Sequence, residues 1–389
     1  MASQPNVSLK SVSKEKAPVI IDRANFDALL QALKKRGYQL VGPTIHNNAI
    51  VYDTLESAAD LPVGYTDRQE KGAYRLEKRS DKACFGYVMG PQSWKKYLFP
   101  NRLKLWEAQR NNGSFSITPT EPQTPRYAFI GVRPCELTAI DVLDRVLLQG
   151  SYVDPHYQAR RKGIFILTVN CTEPGSTCFC ASMDTGPQAS KGFDLALTEV
   201  LEKKRHYFLA ESGSKLGEEI LREIPCQPAA EAEIDSAAKA LEKAARSMGR
   251  TLDTAGIKEL IADNFDNPFW DRVAKRCLSC ANCTMVCPTC FCTTVEDTTE
   301  LAGNKAARVR RWDSCFTLEF TYIHGGSVRQ TVMSRYRQWM SHKLGRWYDQ
   351  FGISGCVGCG RCITWCPVGI DITEEARALR ESKKRSELK

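Results

Sequence analysis

The chain has 389 residues, of which 42% are hydrophobic, and this length predicts two domains with substantial cores. Seventeen cysteines in so long a chain exclude a secreted disulfide framework, and the polar first stretch lacks the apolar segment of a signal peptide, so a reducing cytoplasm is expected. The net charge of +9 comes from short, scattered basic clusters without interleaved aromatic residues, which argues against nucleic-acid binding, and no apolar run is long enough for a membrane span.

The first 250 residues predict a flexible arm followed by an α/β or α+β domain. Residues 1–17 are mostly polar, rich in Ser and Lys, and carry no periodic pattern, whereas a regular apolar pattern begins at Pro18. Tyr127 to Val132 is a continuous apolar run of the kind that forms a buried parallel strand, and Leu137 to Leu147 then repeats at helical spacing. A second such run follows from Ile164 to Val169, so a strand–helix–strand unit is predicted within a domain covering 18–250.

Four cysteines of this domain are expected to converge. Cys135 follows the first predicted strand and Cys171 the second, so both should lie at the carboxyl edge of a parallel sheet, where such folds bind ligands. Cys178 and Cys180 follow in a loop rich in Gly, Ser and Thr. We predict a third metal site here, a [4Fe–4S] cluster, with structural zinc or buried free thiols as alternatives and one of the last two cysteines idle if the turn is too tight.

The second predicted domain covers 251–389. Residues 231–248 are rich in Ala, Lys and Glu and predict a helix, after which the domain boundary is placed near residue 250. Between Cys287 and Cys356, apolar residues from Val332 to Phe351 recur at i+3 and i+4, which predicts a long amphipathic helix across the gap. The second domain is therefore expected to be mostly α-helical.

This domain carries the most specific motif of the chain. Cys277 to Pro288 reads C-x2-C-x2-C-x3-C-P, and the spacing recurs from Cys356 to Pro367. In two-cluster ferredoxins the fourth cysteine of each motif ligates the other cluster, and a third cysteine at x2 fits a cube better than the paired thiols of a zinc site. The predicted ligands are Cys277, Cys280, Cys283 and Cys366 for one [4Fe–4S] cluster, and Cys356, Cys359, Cys362 and Cys287 for the other.

Five cysteines remain outside these sets. Cys290, Cys292 and Cys315 are interpreted as packing residues or thiols near the clusters, with an extra metal site as the alternative. The tetrapeptide Thr-Cys-Phe-Cys occurs at both 177–180 and 289–292, which indicates either equivalent roles or chance. Cys84 and Cys226 stand alone and are expected to be inert.

Several stretches resemble one family. The runs CLSCANCTMVCPTCFCTTVED, RRWDSCFTLEFTYIHGGSVR and GCVGCGRCITWCPVGIDI are similar to the beta, iron–sulfur subunit of cytoplasmic sulfhydrogenases, which are NAD(P)-linked [NiFe] hydrogenases. GVRPCELTAIDVLDRV and NCTEPGSTCFCASM resemble the same family, and the iron–sulfur subunit of anaerobic sulfite reductases looks similar in the same places. The resemblance implies an electron relay between hydrogenase small and large subunits and a flavin subunit that binds NAD(P). It carries over the eight motif cysteines as ligands and makes the N-terminal four family features.

The residues themselves favour a relay over a complete enzyme. No G-x-G-x-x-G opens a helix after a strand, and the five histidines show no ligand spacing, so no catalytic residue is predicted. The alternative is an iron–sulfur subunit of a sulfite reductase or another enzyme that reduces sulfur compounds, with a cluster or flavin at the N-terminal crevice.

Overall fold

The structure, a computed structural model, describes residues 17–387 except residues 112, 203 and 204, with side chains as far as residue 382. The predicted arm over 1–17 lies outside the described residues apart from Ala17. In chain order the strands are β1 (Val19–Asp22), β2 (Gln39–His46), β3 (Ala49–Thr54), β4 (Tyr65–Glu70), β5 (Ala73–Lys78), β6 (Arg102–Asn111), β7 (Ser114–Pro119), β8 (Tyr127–Val132), β9 (Phe165–Val169), β10 (Leu195–Glu202), β11 (Arg205–Ser212), β12 (Gln227–Pro228), β13 (Thr293–Thr299), β14 (Lys305–Trp312), β15 (Tyr322–Ile323) and β16 (Gly326–Ser327).

The helices lie between these strands and dominate the C-terminal end. A π-helical segment, His342–Arg346, joins two of them. In chain order the α-helices are α1 (Phe26–Lys35), α2 (Lys95–Leu98), α3 (Pro134–Leu148), α4 (Pro155–Arg161), α5 (Lys215–Glu223), α6 (Glu231–Arg246), α7 (Ile257–Asp263), α8 (Phe269–Ala274), α9 (Asn282–Met285), α10 (Val332–Ser341), α11 (Trp347–Phe351), α12 (Arg361–Thr364) and α13 (Ile372–Glu387).

An eight-stranded sheet forms the N-terminal region, in the order β12-β1-β11-β10-β9-β8-β2-β3. Its four central strands, β10, β9, β8 and β2, pair in parallel, and the outer pairings are antiparallel. The predicted strand–helix–strand unit is confirmed as β8, α3 and β9, with Ala128 opposite Phe165. The carboxyl ends of β8 and β9 therefore meet at one edge of the sheet.

Helices cover both faces of this sheet, which explains why its strands are continuously apolar. Phe208 and Ala210 of β11 enter the main core together with Leu29 and Leu33 of α1. The intervening residue Leu209 enters a second cluster, which Ala237 of α6 closes together with other residues of β1, β10 and β11. The N-terminal region is thus a sheet-rich α/β structure, as predicted.

A second sheet corrects the expectation of a mostly helical C-terminal region. β13 and β14 form a hairpin that continues through β6 into β7, so that Arg308 lies opposite Trp106. The long helix predicted between Cys287 and Cys356 is confined to α10, the π-helical segment and α11, because the start of the gap is rich in the β-branched residues typical of strands. This sheet takes strands from both sides of residue 250, where the boundary stays a prediction.

The C-terminal core packs α7, α8, α10 and α13 around the cysteine motifs. Its buried residues include Trp270, Tyr336, Trp339 and Met340, and Phe179 from the N-terminal region lies fully buried in the same cluster. No helix in the described ranges combines the length and apolar character needed to cross a membrane.

Candidate metal centres

Both cysteine motifs fold into the same local conformation. Each has a left-handed residue at two matching positions, Ser279 and Ala281 in the first motif and Gly358 and Gly360 in the second, with φ between 51° and 75°. These positions reverse the chain between cysteines, and a four-residue helix follows, α9 in one motif and α12 in the other. The x2 spacing thereby turns successive thiols toward a common centre.

The structure brings together cysteines from both motifs in two cavities. One cavity, the first site, is lined by Cys277, Cys280, Cys283 and Cys366, and Cys362 also reaches it. The other, the second site, is lined by Cys287, Cys356, Cys359 and Cys362. Apart from Cys362, which borders both cavities, the cysteines lie in the two groups that the spacing predicts, and their role as ligands stays a prediction.

Electrostatic interactions follow the same grouping. Burial raises the pKa of the Cys283 thiol, and negative charge on Cys277 and Cys366 raises it further. Burial also raises the pKa of the Cys362 thiol most, and negative charge on Cys356 and Cys359 raises it further. Thiolates packed this closely repel one another, and a cationic iron core between them removes the repulsion. The donor set therefore fits a cluster in each cavity.

Two aromatic side chains supply a further test of fit. Trp339 lines both cavities and Tyr336 lines the first. Their indole N–H and phenol O–H are buried without a hydrogen-bond partner among the described residues, although buried polar groups almost always have one. Both residues line the first cavity, where the sulfides of a bound cluster would supply hydrogen-bond acceptors.

The four N-terminal cysteines form a third site, defined as Cys135, Cys171, Cys178 and Cys180. Cys135 lies in the first turn of α3, Cys171 follows β9, and the other two lie in the next loop. Burial raises the pKa of Cys135 most, and negative charge on Cys180 and on Cys359 of the second site raises it further. The third site is thus adjacent to the second.

The loop that carries Cys178 and Cys180 packs directly on the second motif. Phe179 donates its backbone N–H to the carbonyl of Gly358 over 2.8 Å, and Cys178 Sγ lies 3.9 Å from the Cys359 carbonyl oxygen. A Cβ on Gly358 would stand 2.7 Å from the Cα of Cys180. The glycine of the second motif is therefore required by a segment that lies far earlier in the chain.

The spacing of the third-site thiols argues against a single ion. Zinc bonded to thiolates at about 2.3 Å places sulfurs roughly 3.8 Å apart in a tetrahedron. Among the described residues, no three of these four thiols have sulfurs within 4.8 Å of one another. A cube carries one thiolate on each of four irons and spaces them more widely, so the arrangement fits a cluster better.

Buried cations, which the sequence reasoning missed, line the second and third sites. Arg361 donates to Glu136 over 2.6 Å, and both residues are almost completely buried. Arg133 donates to the carbonyl oxygens of Phe85 and Tyr87, and its positive charge acts on Cys171 against the effect of burial. The sequence offered two signals for these cations. Arg133 directly precedes the Pro-Cys-Glu stretch that carries Cys135, and Arg361 lies inside the second motif.

Of the three spare cysteines of the C-terminal region, Cys290 lies beside Cys287 of the second site, and Cys315 is close enough to Cys283 of the first site for their charges to interact. Cys292 precedes β13 and Cys315 follows β14, so the hairpin brings their thiols into hydrogen-bonding contact, which lowers the pKa of Cys292 to about 7. Cys290 is hydrogen-bonded to Cys287, and this bond lowers the pKa of the Cys287 thiol. Their interpretation as thiols near the clusters stays a prediction.

Cys84 does not stand alone. Its thiol lies with Glu199 and His206 in a group whose ligand atoms are all within 4.8 Å of one another. Glu199 already accepts hydrogen bonds from the backbone N–H groups of Cys84 and Phe85, at 2.6 and 2.8 Å, and pairs with His206 at 2.7 Å. Burial, followed by the Glu199 charge, raises the pKa of Cys84 to about 12. The thiol therefore stays protonated and the carboxylate is satisfied without a metal.

Comparison with known families gives the class of protein. Residues 276–370, which contain both motifs, match the family described as a 4Fe-4S dicluster domain. The chain is therefore a metal-binding iron–sulfur protein of the ferredoxin type, and [4Fe–4S] clusters are its cofactors.

A relative that matches nearly the whole chain identifies the family. Over 359 residues the chain is 30% identical to sulfhydrogenase 2 subunit beta of Pyrococcus furiosus, and the alignment covers 92% of this chain and 96% of that protein. The chain belongs to the family of sulfhydrogenase beta subunits, as its motifs indicated, and is an iron–sulfur electron-transfer subunit. No solved structure matches it.

Proposed function

We propose that this chain relays electrons through three [4Fe–4S] clusters, held at the first, second and third sites in that order. Each bound cluster would supply one-electron chemistry, while bond-making and bond-breaking take place on partner subunits. The observation that carries the order is the position of the second site between the other two. Its Cys362 interacts with Cys283 of the first site, and its Cys359 interacts with Cys135 of the third.

The proposed ligands are the twelve cysteines of the three sites, with the fourth cysteine of each motif exchanged. The N-terminal region over 18–250 would supply the third site, and the region over 251–389 the other two. Two of the third-site cysteines are well shielded from water, since Cys178 and Cys180 are only 7% and 5% exposed, and Cys135 and Cys171 are partly buried. Close packing around the third site supports a bound group there, because a Cβ on Gly186 would lie 3.0 Å from the sulfur of Cys180.

The first site is the proposed contact with a redox partner. Cys280 is exposed and its neighbour Leu278 is 63% exposed, whereas the second site is enclosed by Phe179 and Lys343. An electron leaving the relay at the surface would therefore pass from the first site. The relative is named as a sulfhydrogenase subunit. We therefore propose that the partners of this chain are hydrogenase small and large subunits and a flavin subunit that binds NAD(P).

Iron analysis of the full-length protein tests the number of clusters. We expect about twelve irons per chain, four for each cube, and about eight in a Cys135→Ala/Cys171→Ala variant. The matched control, Cys84→Ala/Cys226→Ala, removes the same number of thiols outside the three sites and should keep twelve. Eight irons in the unmodified chain would contradict the third cluster, and a loss of one zinc in the variant would indicate a structural ion.

The relay is also tested against a catalytic role. The chain has no dinucleotide-binding fingerprint, so the isolated protein should release no flavin when it is denatured and should show no turnover without partners. Stoichiometric release of flavin would overturn the relay and favour an N-terminal catalytic site for a sulfur compound.

A further inference from the structure

Two lysine side chains are buried beside the second site. Lys343 is 4% exposed and Lys95 is 3% exposed. Lys343 Nζ donates to Thr289 Oγ1 over 2.6 Å and to the Gly355 carbonyl oxygen over 3.0 Å. Lys95 Nζ donates to the Cys290 carbonyl oxygen over 2.9 Å and lies 4.0 Å from the centre of the Trp312 ring. All of these partners are neutral.

A buried ammonium group needs negative charge nearby, because desolvation of an unpaired charge is costly. Lys343 lines the cavity of the second site together with Cys287 and Cys356. Burial opposes the charge of Lys343, and negative charge on these two cysteines would favour it. For Lys95 burial is the largest effect and lowers the pKa, while Cys290 and Cys287 act in the opposite direction.

The backbone around Lys343 is irregular in a way that fixes its position. The residue lies in the π-helical segment, a rare conformation that is frequent at functional sites. Its own carbonyl oxygen accepts the N–H of Gly355 over 2.9 Å, directly before the ligand Cys356. Main chain and ammonium group of Lys343 therefore both hold the loop that begins the second motif.

Among the described residues that line the first cavity none is charged, and the buried Arg335, which donates to Ser279 Oγ of the first motif over 3.4 Å, does not line it. The leading charges that act on its ligands Cys277 and Cys283 come from other cysteines and not from a cation. Net charge and hydrogen bonds around the sulfurs are among the factors that set the potential of an iron–sulfur cluster.

We propose that Lys343, assisted by Lys95, makes the cluster of the second site easier to reduce than that of the first, so that an electron in the relay resides preferentially at the middle position. This inference rests on the proposed placement of a cluster at the second site. Both lysines are positioning residues that act through the cluster ligands.

The test is a redox titration of the full-length protein, followed by electron paramagnetic resonance. The second-site signal is assigned as the one that a Cys356→Ser protein loses. Lys343→Met keeps the length of the side chain and removes its charge, so the second cluster should become harder to reduce. At a given potential, its ratio of reduced to oxidised cluster should fall by a factor of ten or more. For a one-electron couple a tenfold change is about 59 mV. Lys95→Met should shift the same signal in the same direction by less.

Two surface lysines provide matched controls. Lys96 adjoins Lys95 in sequence but is exposed, and Lys258 forms an exposed ion pair with Asp349. Lys96→Met and Lys258→Met should leave both potentials unchanged. A second-site potential unchanged in Lys95→Met and in Lys343→Met, or shifted equally by the controls, overturns the proposal. If Lys343→Met does not retain iron, the second-site potential of Lys95→Met alone tests the proposal. Absence of a second-site signal in the unmodified protein would instead contradict the proposed cluster.

Discussion

The first and second sites share one cysteine spacing but lie in different surroundings. The first borders solvent through Cys280 and Leu278. The second is enclosed, with the third-site loop packed on one side and the buried cations of Lys343 and Arg361 nearby. A repeated motif thus fixes the local arrangement of the cysteines, while residues outside it provide the charge and the solvent exclusion that distinguish the two sites.

The largest expected effect tests whether the two sites exchange ligands. Cys287 belongs to the first motif but lines the second site. We expect Cys287→Ser to remove or alter the second-site cluster and to leave the first-site signal unchanged, as measured by electron paramagnetic resonance and iron content. Cys226→Ser, an exposed cysteine outside all three sites, is the control. Damage confined to the first-site signal would contradict the exchange.

The next effect concerns the buried ion pair that links the second motif to α3. Arg361→Met leaves Glu136 buried with hydrogen bonds from Tyr52 and from the backbone N–H of Arg133, and with the nearby charge of Arg133, and breaking such a pair costs about 3–5 kcal/mol. Anaerobic denaturant unfolding measures the loss. The double variant Arg361→Met/Glu136→Gln should recover part of it, because the unpaired charge is removed. A loss below about 1 kcal/mol in Arg361→Met would show that the pair is unimportant.

A smaller effect is expected from the contact between the second motif and the third-site loop. Gly358 has φ +65° and no room for a Cβ against the backbone of Cys180, so Gly358→Ala should cost about 2–5 kcal/mol of unfolding free energy. Gly352 has nearly the same φ, +70°, with its nearest neighbour 4.0 Å away. Gly352→Ala should therefore cost only about 1–2 kcal/mol. Equal losses of stability in Gly358→Ala and Gly352→Ala would mean that the loop of Cys178 and Cys180 moves aside, which would contradict a tight contact.

The smallest effect on stability is expected at the surface of the first site. Leu278→Ser should change the free energy of unfolding by less than about 0.5 kcal/mol, because the side chain is largely exposed. The same change should weaken association with a redox partner protein, measured by binding of the purified subunits. Leu301 is fully exposed in the turn between β13 and β14, and Leu301→Ser serves as the control. Equal binding by both variants would contradict partner docking at the first site.

The cysteine spacing and the apolar runs carried most of what could be predicted. β8, α3 and β9 follow from local periodicity, and the convergence of three cysteines within each motif follows from the x2 spacing, since both depend on residues close in sequence. The hairpin of β13 and β14 was missed because most of its residues are polar and few are fully buried, so the strands show little hydrophobic pattern. Lys95 and Lys343 were missed for a different reason: a lysine in a sequence is normally a surface residue, and only tertiary packing buries it.

The sheet that joins the two regions also constrains the order of events during synthesis. β6 pairs on one side with β7, its neighbour in the chain, but its other partner is β14. Ribosomes add about 5–20 residues per second, so the roughly two hundred residues between β6 and β14 take on the order of 10–40 s to appear. During that interval β6 presents an open edge, the kind of surface that pairs with other chains. With the proposed exchange of the fourth cysteine, neither ferredoxin-type cluster would be loaded earlier, because each would need a cysteine from both motifs. The nascent chain is therefore most in need of protection by chaperones between the completion of β7 and the emergence of the second motif.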